Sequence, residues 1–382
     1  MSLARAPSMS TTPIGVLLVQ LGTPDAPTPP ALRRYLGEFL SDPRVIDLPA
    51  PLRWLLLHGV ILRRRPRASA EAYAKIWTPS GSPLRIHSDA FTRALARELG
   101  AGYAVALGMR YGEPRIDTAL AALAGAGATR LLVWPLFPQY AEASSGSALA
   151  RVFECLRHYA SFGRVRALGP CFDDPGFADA WAAVARPALE TARPEHVLFS
   201  YHGIPERQLR AADPTGRHCL ASERCCDELS AQNAHAPSAQ SARCYRAQCF
   251  ATTRALAASI GLSDGSTSTS FQSRLGRARW TGPSTEHELA RLRRNGVRRL
   301  AVLCPSFVAD CLETLEEIGL RAREHWRAQG GEELVLVPSL NAHPRWIDAA
   351  ARLVGAAAHG LDSDAPAASP EASESATPIP IT

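Results

Sequence analysis

Two stretches of this chain are written on one plan. GVLLVQLGTP (15–24) and HVLFSYHGIP (196–205) are each an apolar run closed by glycine and proline. Such runs are the signal of strands buried on both faces, as in parallel sheets. A second pair echoes in the same way. DTALAALAGAGATRLLVWPLFPQ (117–139) and EHELARLRRNGVRRLAVLCPSFV (286–308) each read as helix, glycine turn, apolar strand and proline break. The repeats predict an α/β fold of two similar Rossmann-like lobes, with parallel sheets flanked by helices and a cleft between them. The lobes are expected over 14–170 and 171–357. Residues 1–13 and the Ala-, Ser-, Pro- and acid-rich 358–382 are expected to be disordered. Strand signals sit near 14–21, 45–48, 104–110, 130–136, 165–168, 197–199, 271–277, 299–308 and 334–337, with a last helix over 344–355.

At 382 residues and 46% hydrophobic content, the chain can bury a core in each lobe. Its formal charge is +6, mostly from scattered arginine, which suits anionic ligands. No basic–aromatic interleaving is present, so nucleic acid is not an expected partner. The first residues lack the apolar centre of a secretion signal and no run reaches membrane-spanning length, so a cytoplasmic location is the default.

The chemistry gathers at two strand ends. His202 follows the apolar run Val197–Phe199 and precedes a Gly-x-Pro turn, which puts an imidazole at the carboxyl end of a strand, where open α/β sheets bind ligands. A hydrogen-bonded linker histidine would look the same. After the strand 299–308, Asp310, Glu313 and Glu317 stand three and four apart, one face of a helix, with Glu316 off that face. Acids near a helix start also simply complement its dipole. Together, an imidazole and carboxylates at neighbouring strand ends suit proton removal and transient binding of a divalent cation.

PLRWLLLHGVILRRRP (51–66) is strongly apolar and ends in arginines. It is too short and too charged at its end to cross a bilayer, and reads either as an amphipathic lid with peripheral membrane affinity or as a buried helix with a basic end. Five of the nine cysteines crowd into a polar insert at 215–249: Cys219, Cys225, Cys226, Cys244 and Cys249. Apolar packing gives no reason for cysteine there, whereas Cys155, Cys171, Cys304 and Cys311 include three in or beside apolar segments. Four thiolates would hold structural zinc or an iron–sulfur cluster, and the spacings match no standard pattern for either.

SYHGIP (200–205), FVADCLETLEEI (307–318), LFPQYAEASSGS (136–147), FQSRLGRARWTGP (271–283), VQLGTP (19–24) and MRYGEP (109–114) together resemble the ferrochelatase family over about 14–355. The resemblance implies a lyase that inserts Fe(II) into a porphyrin, protoporphyrin IX or coproporphyrin III, with release of two protons. His202 falls on the family's proton-accepting or metal-handling histidine and Glu313 on its active-site glutamate. Asp310 and Glu317 fall on the acidic path behind it. Leu21, Tyr111 and Tyr140 fall on the pocket lining and Arg110 near it; Phe271 opens the block whose tryptophan is Trp280. The segment near 51–60 resembles the lip of the cleft. Cys311 departs from relatives that carry histidine there, which puts a third imidazole ligand in doubt.

Some relatives hold a [2Fe-2S] cluster, and the resemblance extends that to the crowded cysteines. Cys219, Cys244 and Cys249 are the firmer ligands, with one of Cys225 and Cys226 as the fourth. The vertebrate arrangement uses C-terminal cysteines, which are missing here, and Ala143 stands in the region of its remote ligand. The alternatives are a chelatase for another tetrapyrrole or metal, and a non-catalytic haem or metal carrier. Monomer and homodimer remain equally open.

Overall fold

The computed structural model describes residues 12–222, 225–226, 244–263, 265–274, 276 and 278–363. Most of the expected N-terminal tail, residues 364–382 and much of the cysteine-rich insert lie outside the described residues.

The described strands are β1 (Ile14–Gly22), β2 (Tyr103–Tyr111), β3 (Arg130–Pro135), β4 (Arg164–Ala167), β5 (His196–His202), β6 (Thr267–Gln272), β7 (Arg299–Leu303) and β8 (Glu333–Leu336). They form two four-stranded sheets of one topology, ordered β2-β1-β3-β4 and β6-β5-β7-β8, with every pair parallel. The two echoed strands, β1 and β5, take the same central place. Both are buried along nearly their whole length, which is why their sequences are continuous apolar runs.

The second echo is equally literal. The helices Ile116–Gly125 and Thr285–Arg294 end in one hydrogen-bonding pattern. Gly127 N donates to Ala124 O and Ala128 N to Leu123 O; Gly296 N donates to Arg293 O and Val297 N to Leu292 O. This is the Schellman stop, and it needs the left-handed conformation that Gly127 (φ 82°) and Gly296 (φ 88°) adopt.

Two departures from expectation position the site. Residues 45–48 form turns rather than a strand, because Val45 N and Ile46 N both donate to Asp42 O. The last helix runs Pro344–Ser363 instead of stopping at 355. Val354, Ala358 and Leu361 continue its buried stripe, so residues 358–363 are ordered by packing. That helix returns to the first lobe. Trp346 stacks on Phe91 with ring centroids 5.8 Å apart and lies as close to Trp134, while Arg164 Nη1 donates to Leu361 O at 2.7 Å.

Across the cleft, Gln139 Nε2 donates to Thr252 Oγ1 at 3.0 Å and Gln248 Oε1 accepts from Tyr140 N at 2.7 Å. Ion pairs join Arg207 to Asp47 and Lys75 to Glu316. The carboxyl ends of β1–β3 are thereby fixed opposite those of β5–β7.

Candidate active site

His202 is the last residue of β5 and is half-buried. Its Nδ1 lies 2.6 Å from Gly203 O. A carbonyl only accepts, so the proton sits on Nδ1, and among the described residues the Nε2 lone pair is left unspent. The adjoining peptide is fixed as well, since Gly203 N donates to Gln272 O at 2.8 Å. A Cβ on Gly203 would lie 2.9 Å from that same oxygen and 3.4 Å from the Trp280 ring, so only glycine fits this turn. Trp280 is half-buried beside it, bridged to Pro205.

Glu313 begins a π-helix, Glu313–Ala322, where an α-helix was expected. The wider i→i+5 turn still keeps Glu313 and Glu317 close to one face. Gln272 Nε2 donates to Glu313 O at 2.9 Å, tying this helix to the strand beside His202. Ser273, at φ 66°, donates to Glu317 through its N at 2.9 Å and its Oγ at 2.6 Å. The Glu313 charge also reaches the first lobe. Tyr35 and Tyr73 are pushed well above the ordinary phenol range, first by burial and then by neighbours that include Glu313. Leu312 joins the apolar cluster of Tyr35, Tyr73, Tyr111 and half-buried Leu21.

Several side chains sit otherwise than expected. Asp310 is buried and fully spent on structure. It accepts from Thr314 Oγ1 at 3.0 Å, Asn341 Nδ2 at 2.8 Å and Ser339 N at 3.2 Å, so it pins the helix start to the loop after β8. Glu316, off the face of the other three acids, is also buried. It is 4% exposed and pairs with Lys75 at 3.4 Å and Arg321 at 3.1 Å. Tyr111 and Phe271 are fully buried, so they back the cleft wall instead of forming its surface. Phe271 packs on Tyr201 and Phe250. Tyr140 is half-buried, and its phenol is raised to about 12 by burial and then by Glu142, to which it donates at 2.7 Å.

Arg110 belongs to a polar knot that sequence reading missed. Asp42 Oδ2 accepts from Arg110 Nη2 at 2.5 Å, Tyr111 Oη at 2.9 Å and Ser147 Oγ at 2.5 Å, and Arg110 Nε donates to Ser147 Oγ at 2.7 Å. Burial pushes the Asp42 carboxyl up, but Ser147, the Arg44 amide, Tyr111 and Arg110 together hold it below its ordinary range. In the sequence, Asp42–Pro43 signals only a turn.

The cysteines converge without closing. Sulfur–sulfur distances are 4.0 Å for Cys219–Cys244 and 4.0 Å for Cys225–Cys226, and all five thiols are buried. The first contact moves its two thiols apart, Cys219 below its ordinary range and Cys244 up to about 11. Burial raises Cys249. Arg246 Nη1 donates to Cys226 Sγ at 3.0 Å. Two thiolates on one tetrahedral metal lie about 3.8 Å apart, so each pair has the right reach. Among the described residues, however, no three or more His, Cys, Asp or Glu side chains are assembled as a metal site.

The apolar segment is a helix, Ala50–Leu56, that runs through a π turn, Leu57–Ile61, into Leu62–Ala74. Leu57 and Leu62 face inward, while Leu52, Trp54, Leu55 and Val60 are 49–63% exposed beside exposed Arg63, Arg64 and Arg65. No helix among the described residues is long and apolar enough to cross a membrane.

The model of the ferrochelatase family matches residues 13–358. A ferrochelatase of Azotobacter vinelandii is 50% identical over 338 residues, covering 88% of this chain and 97% of its own. One of Coxiella burnetii is 46% identical over 340 residues, covering 89% and 92%. Among solved structures, the sirohydrochlorin chelatase SirB of Bacillus subtilis subspecies spizizenii, in complex with cobalt, is 12% identical with a TM-score of 0.52, covering 92% of this chain and 98% of that one. This last likeness is one of fold.

Proposed function

The chain belongs to the ferrochelatase family, and on that premise we propose that His202 and Glu313 are the residues with which it works. The reaction is insertion of Fe(II) into a porphyrin in haem biosynthesis, a lyase step that releases the two pyrrole N–H protons. The observation that carries the assignment is the Nδ1 bond of His202 to Gly203 O at 2.6 Å, which leaves Nε2 without a hydrogen-bond partner among the described residues, at the carboxyl end of β5. Neutral imidazole accepts a proton near neutral pH and also binds ferrous iron. Glu313 is the carboxylate that receives the cation or the second proton. Glu317, clamped by Ser273, holds the π-helix in place behind it, and Asp310 anchors that helix rather than carrying protons.

A porphyrin is flat and apolar, and Leu21, Tyr140 and Trp280 suit its faces. Arg110, locked by Asp42 and Ser147, offers its remaining N–H groups to a substrate carboxylate. Parallel anaerobic assays with protoporphyrin IX, coproporphyrin III and sirohydrochlorin test the reading. Turnover with either of the first two supports it, and turnover with sirohydrochlorin alone defeats it.

Cys219, Cys244, Cys249 and one of Cys225 and Cys226 hold a [2Fe-2S] cluster in this reading, supported by the two thiol pairs at 4.0 Å. When bound, the cluster cross-links the insert and takes no part in iron insertion. Anaerobically purified chain is expected to be red-brown with about two irons and two sulfides. Colourless protein with one zinc and no sulfide would replace the cluster by structural zinc.

The exposed apolar helix and its arginines act as a lip with peripheral membrane affinity. Liposome co-sedimentation with anionic lipid is expected to fall several-fold in the triple variant Arg63→Glu, Arg64→Glu, Arg65→Glu. Equal binding by both proteins would remove the electrostatic part. The chain works as a monomer or homodimer, which sedimentation distinguishes.

A further inference from the structure

Tyr245 opens the helix Tyr245–Ile260, directly after Cys244. Its ring is buried and its hydroxyl lies 2.7 Å from His202 O and 3.2 Å from Ser306 Oγ. A carbonyl cannot donate, so the single phenol proton goes to His202 O. The Ser306 O–H then donates to the phenol oxygen.

That carbonyl belongs to the peptide between His202 and Gly203, the residue whose own carbonyl holds the imidazole. Gly203 N, on the other side of the same peptide, is held by Gln272 O, and Gly203 O takes the His202 Nδ1 proton. The phenol on one side and Gln272 on the other fix the peptide that leads into Gly203, whose own carbonyl sets the imidazole tautomer and its direction. We propose that Tyr245 is a positioning residue for His202. This rests on the reading that His202 accepts the pyrrole proton.

The test is Tyr245→Phe, which keeps the ring and removes the hydroxyl, followed on full-length chain labelled with nitrogen-15 at histidine. The His202 signal is assigned by its loss in His202→Ala. In Y245F the His202 imidazole resonances are expected to shift and kcat to fall about tenfold, with KM for porphyrin within twofold, as for a small misplacement of a catalytic group. Ser306→Ala, which leaves the Tyr245 bond to His202 in place, should leave the resonances unmoved. Unmoved His202 resonances in Y245F overturn the proposal, as does a kcat within twofold of the parent. Full activity of H202A would instead defeat the underlying assignment, while the resonance shifts would still report the coupling.

Discussion

His202→Ala is expected to lose iron insertion by about 10²–10⁴-fold, the usual cost of removing a general base. The fold should survive, because the imidazole is half-buried and its polar bond is the local one to Gly203 O. The backbone features around it, the Gly203 N bond to Gln272 O and the Tyr245 bond to His202 O, do not need the side chain. Circular dichroism and the thermal midpoint check the fold, and anaerobic absorbance checks the rate. A folded variant with near-normal kcat would remove His202 from the mechanism.

Glu313→Gln and Glu316→Gln should separate chemistry from stability. Glu313 is half-buried at the head of the π-helix, and its backbone carbonyl holds Gln272 whatever the side chain is. Replacing its carboxylate is expected to lower kcat by about 10²-fold, with little change in melting. Glu316 is buried but its partners Lys75 and Arg321 are more than half exposed, so they rehydrate when the charge is removed. E316Q is expected to cost on the order of 1 kcal/mol, or about 1–2 °C in the thermal midpoint, with kcat within about threefold. Comparable kcat/KM losses in the two variants would reject the division.

The fold was legible because the chain repeats itself. Two buried parallel strands must be apolar throughout, and two Schellman stops must carry glycine, so the echoes of β1 in β5 and of Gly127 in Gly296 could be read directly. His202 and Glu313 were legible as strand-end chemistry. The polar network around them was not. Asp42, Ser147, Gln272, Ser273 and Tyr245 act through bonds between residues far apart in the chain, and no periodicity marks a side chain whose partners are set by tertiary packing. Asp310 and Glu316 show the same limit in reverse. Spacing on a helix told which acids share a face, but not that Asp310 belongs to the loop at Ser339 and Asn341, nor that the helix is a π-helix with Lys75 waiting beside Glu316. Tyr111 and Phe271 lie next to residues of the site in sequence, and alternation along a strand turns such neighbours inward.

The most direct measurement mixes this chain anaerobically with Fe(II) and porphyrin, both in large excess, and follows metalloporphyrin absorbance together with proton release. The account predicts many equivalents of iron porphyrin per chain, with two protons released for each iron inserted. A single equivalent of bound porphyrin or iron, without further turnover, would contradict it and leave the chain a carrier.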